Sequence, residues 1–196
     1  MRKWLVLLGS VALIAVVVIG LTSASSGDST SDPPDSLEDA RQELAGAPPS
    51  LAALHEQSNE LLDGGIPAFE QRVAELKGHP IVVNKWASWC APCRTEFPVF
   101  ESIASKRGKE IAFLGVNSKD KDPAARRFLA EQWLPFPSYT DPDDKIGAKL
   151  KAPKVAPVTI FIDAGGKTVK THYGTYRSDK QLSDDIDRYL GAASPR

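Results

Sequence analysis

The chain's two cysteines stand three positions apart, in the segment WCAPC at residues 89–93. Two thiols at this spacing can form and break a reversible disulfide. The β-branched and aromatic run 81–86 before them predicts a strand, and the residues after Cys93 predict a helix. Cys90 is then expected at a helix N-terminus, where unpaired backbone N–H groups and the helix dipole favour a thiolate. The pattern indicates a disulfide oxidoreductase with an exposed, acidic thiol at Cys90.

Other kinds of site built from two cysteines compete with this interpretation. A structural disulfide is one, although so short a loop removes little entropy from the unfolded chain. Structural zinc usually needs four ligands, and the chain's histidines, His55, His79 and His172, are scattered. Haem attachment of the c type needs a histidine where this chain has Arg94. A peroxidatic cysteine stays open, although no segment resembles that of peroxiredoxins. We expect neither a metal ion nor a cofactor.

Two segments of the chain resemble one family of oxidoreductases. The run from Val83 to Pro98 is similar to the active-site segment of membrane-anchored thiol–disulfide oxidoreductases of the TlpA/ResA/DsbE type. Residues 155–163 resemble the same family's cis-proline segment and the strand after it. The resemblance covers about residues 66–192. It implies a thioredoxin-like α/β fold, in which helices flank a central mixed sheet, with a helical anchor added at the N-terminus.

The resemblance also implies roles for single residues. Cys90 would attack a target disulfide, and Cys93 would resolve the mixed disulfide that forms. Trp89 resembles the family's exposed aromatic flank, with simple packing as the alternative. Pro157 would be cis and would face the cysteines, so that the backbone at Ala156 and Pro157 is free to pair with a substrate chain.

Three polar residues, Asn84, Lys85 and Glu96, lie close to the cysteines in sequence. Asn84 stands where thioredoxin itself has a buried Asp, and an amide cannot ionise. The resemblance therefore makes Glu96 the best local proton acceptor and a modulator of cysteine ionisation, with a plain surface glutamate as the alternative. Lys85 follows where the family usually has an aromatic residue. Its charge predicts an exposed or snorkelling path on the face opposite Asn84.

The rest of the chain alternates helices and strands. A right-handed crossover makes the first two long strands parallel, and a Gly-Gly turn predicts a hairpin from the last two. Residues 139–144, which include the acidic run 141–144, predict a turn and a solvated helix start, with a cation site as the alternative. The predicted strands are 81–86, 110–117, 158–163 and 167–173; the predicted helices are one from Ser50 that ends at Gly64, then 67–77, 92–107, 123–133, 145–150 and 178–190.

The N-terminus differs in composition from the rest of the chain. A basic start precedes the nearly unbroken apolar run 4–21, which is about long enough to span a bilayer and predicts a single-pass anchor with the body outside the cytoplasm. A cleavable signal peptide, giving a secreted protein, is the alternative. Residues 22–50 are rich in Ser, Asp, Pro and Gly and predict a flexible linker, with a short helix at 36–44. The expected domains are thus 1–21, 22–50 and a thioredoxin-like domain at 51–196.

These observations together define an expected function. The 24 basic and 25 acidic residues nearly balance, so we expect no nucleic-acid partner. We expect an exported enzyme that exchanges disulfides with extracytoplasmic proteins, the candidates being apocytochrome c, in cytochrome c maturation, or other secreted proteins with cysteines. The resemblance favours a reductase, which needs an electron donor in the membrane or a neighbouring protein. A non-catalytic binding or tethering domain with a structural disulfide is the alternative.

Overall fold

Strand β2, Ile81–Trp86, lies in the middle of the sheet and is buried along its whole length. The computed structural model describes residues 34–191. The other strands within these residues are β1 Leu61–Leu62, β3 Ala112–Ser118, β4 Ser138–Asp141, β5 Val158–Ile162 and β6 Thr168–Tyr173. Strand β2 pairs in parallel with β3 and antiparallel with β5, and the six strands form one sheet in the order β1-β4-β3-β2-β5-β6.

Two helices precede the first strand, four lie between strands and one follows the last strand in the described residues. The longest comes after β2, with Cys90 as its N-cap residue and Cys93 in its first turn. The described helices are α1 Leu37–Glu43, α2 Pro49–His55, α3 Gly65–Glu75, α4 Ala91–Arg107, α5 Asp122–Glu131, α6 Lys145–Lys149 and α7 Asp179–Leu190.

Side-chain alternation along β2 divides the apolar core into two clusters. Val82 and Trp86 belong to a cluster with residues of α4, α5 and α7, whereas Ile81 and Val83 belong to a cluster with residues of α2, α3 and α6. Successive residues of a strand point to opposite faces of its sheet, so the two clusters lie on the two faces. The cysteines belong to the first cluster.

The structure confirms the central mixed sheet, the parallel pairing of the first two long strands and the final hairpin. It corrects the predicted helix from Ser50 to Gly64, because α2 ends at His55 and Leu61–Leu62 forms an edge strand parallel to β4. It also adds β4, where the sequence predicted only a turn. Apolar periodicity cannot identify strands this short, because they are defined by pairing with partners that are distant in sequence.

The N-terminal predictions meet the structure only in part. Helix α1 lies at the position of the short helix expected within the linker, and its Ala40 and the following Leu44 are buried. The predicted anchor at 4–21 and the linker residues 22–33 lie outside the described residues. Between residues 34 and 191, no helix is both long enough and apolar enough to cross a membrane.

An aromatic cluster joins β2 to the helix that carries the cysteines. The Phe97 ring centroid lies 5.2 Å from that of Trp86 and 4.8 Å from that of Phe128, and Phe97 is 1% exposed. Phe97→Ala should lower the free energy of unfolding by about 3–5 kcal/mol, because it removes a buried ring and leaves a cavity. Urea unfolding checks this, with Val169→Ala, at an exposed position, as the control expected within about 0.5 kcal/mol of wild type. A loss below about 1 kcal/mol for Phe97→Ala would show that the cluster contributes little.

Candidate active site

The polar residues around the cysteines gather at one edge of the sheet. Strands β2, β3 and β4 are mutually parallel, so their C-terminal ends meet at the same edge. The cysteine segment follows β2 at this edge, and the loop Lys119–Lys121 follows β3. Strand β5 is antiparallel to β2, so Pro157, directly before it, lies at this edge as well. Ligand sites of open α/β sheets commonly lie outside these strand ends.

Cys90 and Cys93 form a disulfide at the N-terminus of α4. Cys90 is the N-cap residue, and its Sγ accepts a hydrogen bond from the Cys93 backbone N–H at 3.2 Å. The helix dipole and the free N–H groups of the first turn favour negative charge on this sulfur once the disulfide is reduced. Cys90 is 3% exposed and Cys93 is fully buried. This corrects the exposed thiol expected at Cys90, since in the oxidised protein the sulfur is turned inward and bonded to Cys93.

Exposed surface at the site is supplied by Trp89, whose side chain is 62% exposed. Its indole N–H donates a hydrogen bond to the Lys119 carbonyl at 2.9 Å. The preceding Ser88 is held by Asp120, whose carboxylate accepts from both the backbone N–H and the hydroxyl of Ser88. Burial acts to raise the pKa of Asp120, but hydrogen bonds from Asn117, Ser88 and Lys121 outweigh it and hold that pKa below its ordinary value. The β3–α5 loop, residues 119–121, therefore fixes the backbone directly before Cys90.

Glu96 lies one helical turn after Cys93 and is completely buried. This excludes the surface glutamate that the sequence left as an alternative. Its carboxylate accepts a hydrogen bond from the Asn84 amide at 2.7 Å and from the Tyr176 backbone N–H at 3.2 Å. Burial raises the pKa of Glu96 to about 7, although both hydrogen bonds act to lower it. The carboxyl group can therefore hold or release a proton near neutral pH.

The segment before β5 forms the other wall of the site. The Ala156–Pro157 peptide bond is cis, as the resemblance implied. Ala156 packs against the core cluster that contains both cysteines, and Val155 before it is 57% exposed. We refer to residues 151–157 as the Pro157 loop. The structure thus brings the predicted site residues Trp89, Cys90, Cys93, Glu96, Ala156 and Pro157 to one edge of the sheet.

Lys85 contradicts its sequence-based prediction. It is 2% exposed, not exposed or snorkelling, and its Nζ lies 2.7 Å from a carboxylate oxygen of Asp144. Nζ also donates a hydrogen bond to the Pro153 carbonyl at 2.7 Å. The buried ammonium group is stabilised because Asp144, from a distant segment of the chain, pairs with it. The amino-acid sequence contains no signal of this pairing.

The acidic run after β4 is also less solvated than the sequence predicted. Asp141 and Asp144 are each 3% exposed, and only Asp143 is an exposed carboxylate. The carboxylate of Asp141 accepts hydrogen bonds from three backbone N–H groups at the start of α6. Asp141 therefore satisfies the helix terminus, and Asp144 pairs with Lys85. Among residues 34–191, no cluster of metal-ligating side chains could hold a metal ion.

Sequence reasoning missed the roles of Asp120 and Tyr176. For Asp120 a signal was available, because it comes just after a strand predicted to be parallel to β2, and the ends of such strands meet. No comparable signal existed for Tyr176, whose backbone N–H reaches Glu96 across 80 positions of sequence. Its hydroxyl donates to Asp185 in α7, which ties the segment before α7 to that helix.

Comparison with protein families gives a match to the Redoxin family over residues 69–186. A relative from Pseudomonas fluorescens biotype C, thiol:disulfide interchange protein DsbE, is 42% identical over 94 residues, which cover 47% of this chain and 51% of DsbE. The chain thus spans about half the length of this relative. Thiol-disulfide oxidoreductase ResA of Geobacillus kaustophilus is 30% identical over 135 residues, covering 66% of this chain and 72% of ResA.

Solved structures give a consistent picture of the fold. The crystal structure of a secreted Mycobacterium tuberculosis disulfide oxidoreductase, homologous to E. coli DsbE, aligns with a TM-score of 0.52 and 26% identity. The alignment covers 59% of this chain and 85% of the Mycobacterium chain. The sheet of the present chain and the helices around it therefore form a thioredoxin-like α/β fold.

Burial of Glu96 should make stability depend on pH. Its pKa rises from an ordinary 4.5 to about 7 on folding. The protonated carboxyl group therefore stabilises the folded protein fully below the unfolded-state pKa, and this stability is lost as the pH rises through the folded-state pKa. Wild type should therefore lose roughly 2–3 kcal/mol of unfolding free energy relative to Glu96→Gln between about pH 4.5 and pH 7.5.

Urea unfolding of the oxidised proteins at several pH values in this range measures the difference. Glu110→Gln, at an exposed position, is the matched control and should follow wild type. Parallel stability curves for wild type and Glu96→Gln would contradict the raised pKa.

Proposed function

Because the chain belongs to the Redoxin family, we propose that it is a thiol–disulfide oxidoreductase acting on disulfides of extracytoplasmic proteins. The observation that carries the proposal is the Cys90–Cys93 disulfide at the N-terminus of α4, with exposed Trp89 beside it. The relatives named as interchange proteins support the same chemistry. The proposed direction is reductive, so the protein would receive electrons from a membrane or extracytoplasmic donor.

The proposed reaction begins with reduced protein. The Cys90 thiolate attacks one sulfur of the target disulfide, forming a bond to it while the target S–S bond breaks and its other sulfur leaves as a thiolate. Cys93 then loses its proton and attacks Cys90, which re-forms the Cys90–Cys93 bond and releases the second target thiol. Two electrons pass to the target, and the cysteine pair is left oxidised.

Glu96 is the proposed acceptor of the proton from Cys93. Its position one turn along α4 and its pKa of about 7 suit this exchange at neutral pH. When ionised, Glu96 also opposes a second negative charge nearby, which raises the pKa of a neighbouring thiol and acts against the helix dipole. The two titrations are then coupled.

Trp89 and the Pro157 loop residues Ala156 and Pro157 are the proposed contacts with the substrate. Trp89 offers an apolar surface, and the backbone N–H and carbonyl of Ala156, next to the cis Pro157, offer hydrogen-bonding groups to an extended substrate segment. The carbonyl of Pro157 itself accepts a hydrogen bond from the Gly174 N–H. We further propose that the apolar run 4–21 anchors the protein in the cell membrane, with cleavage and secretion as the alternative. Apocytochrome c is one proposed substrate among exported cysteine proteins.

Trapping of the mixed disulfide tests the proposal. Reduced Cys93→Ser should accumulate a covalent adduct with a disulfide-containing peptide, because Cys90 attacks and nothing resolves the bond. Cys90→Ser should form none, because it removes the attacking sulfur at the helix N-terminus and leaves Cys93 inside the first turn of α4. Non-reducing electrophoresis and mass spectrometry detect the adduct, with the Cys90→Ser/Cys93→Ser double variant as the control. Equal trapping by the two single variants, or trapping by neither, would remove the assigned roles.

A further inference from the structure

The side chain of Lys85 connects β2 to the backbone of the Pro157 loop. Its Nζ lies 2.7 Å from Asp144 Oδ1 and donates to the Pro153 carbonyl at 2.7 Å. Lys85 and Asp144 are 2% and 3% exposed. With water excluded, a charge-assisted hydrogen bond to a carbonyl holds its partner more firmly than an exposed one does. The carbonyl of Pro153 lies three residues before Ala156.

Asp144 extends the same contact to the opposite wall of the site. Its Oδ1 accepts a hydrogen bond from the Ser118 hydroxyl at 2.7 Å, and its Oδ2 lies 3.9 Å from Nζ of Lys119. The carbonyl of Lys119 in turn accepts the Trp89 indole N–H. The buried ion pair therefore connects the Pro157 loop with the β3–α5 loop that supports Trp89.

The ion pair is separated from the cysteine chemistry by the sheet. Asn84 and Lys85 are adjacent in β2 and point to opposite faces. Asn84 contacts Glu96 on the face covered by α4, whereas Lys85 contacts Asp144 at the start of α6. Removing the Lys85 charge should therefore loosen the Pro157 loop, while the Asn84–Glu96 contact and the Asp120 contacts that hold the backbone before Cys90 stay in place.

We propose that Lys85 is a positioning residue that, through Asp144 and the Pro153 carbonyl, sets the Pro157 loop at the distance from Trp89 that an extended protein substrate requires. The proposal rests on the proposed function, since it concerns the substrate site of that reaction. It assigns Lys85 to binding of the polypeptide around the target disulfide. Electron transfer between the sulfurs themselves does not involve it.

Lys85→Met, which keeps an unbranched chain as far as Cε and removes the ammonium group, tests the proposal. For reduction of a disulfide-containing peptide we expect KM to rise about tenfold, the effect of losing one charge-assisted hydrogen bond, with kcat within about twofold of wild type. The rate with glutathione disulfide and the reduction potential of Cys90/Cys93 should stay unchanged. Lys145→Met removes an exposed lysine of α6 that pairs with exposed Asp143, and it is the matched control.

A double variant separates positioning from stability. Lys85→Met alone leaves the buried Asp144 without its cation and should lower the melting temperature, whereas Lys85→Met/Asp144→Asn removes both charges and should recover most of it. The Pro153 carbonyl still lacks its donor in the double variant, so its peptide KM should stay high. A KM that recovers together with the melting temperature would overturn the proposal, as would a wild-type KM in Lys85→Met or an equal loss with glutathione disulfide.

Hydrogen exchange over residues 151–157 supplies a measurement that does not depend on activity. Exchange should be faster in Lys85→Met and in the double variant than in wild type and Lys145→Met. Unchanged exchange would show that Lys85 does not hold the loop. If wild type itself reduces no disulfide, the proposed function fails, and faster exchange in the variants would still establish the positioning contact.

Discussion

The candidate site depends on one constraint, which is the burial of β2 on both faces. Polar residues near the end of such a strand must find partners inside the protein, because water cannot reach them. Asn84 and Lys85 are adjacent and face opposite ways, so their partners come from opposite sides of the sheet. Asn84 meets Glu96 on the cysteine helix, and Lys85 meets Asp144 near the loops. One buried strand thus positions both the carboxyl group beside the cysteines and the loops around them.

The balance of forces on Glu96 explains how a buried carboxyl can serve a redox site. Burial alone would hold the group neutral, while the Asn84 amide and the Tyr176 backbone N–H each favour its anion. The resulting pKa of about 7 leaves the two protonation states close in free energy at neutral pH. Because Asn84 cannot ionise, Glu96 does not share its proton with a second carboxylate at that position. The unpartnered amide oxygen of Asn84 is a buried polar atom that this arrangement leaves without a hydrogen bond within residues 34–191.

The amino-acid sequence predicted the elements that a local pattern of residues determines. It did not predict the strands and contacts that depend on partners far away in the chain. The strand Ile81–Trp86, the cysteine helix and the final hairpin follow from apolar runs, turn residues and helix-start signals. Strands Leu61–Leu62 and Ser138–Asp141 are too short for periodicity to reveal. Ser138–Asp141 is a strand because it pairs with Ala112–Ser118, and Leu61–Leu62 because it pairs with Ser138–Asp141. The burial of Glu96 could not be predicted from sequence, because it depends on how the cysteine helix packs against the sheet. Lys85 was predicted wrongly, since its counter-ion lies far away in sequence.

The central claim is that the Cys90–Cys93 disulfide is redox-active in the folded protein. The most direct test equilibrates oxidised protein with a graded series of dithiol buffers, counts free thiols by alkylation and mass spectrometry, and follows tertiary structure by near-UV circular dichroism. We predict that mild dithiols reduce both cysteines reversibly while the fold is retained. A disulfide that is reduced only after denaturant unfolds the protein would instead be a structural bond.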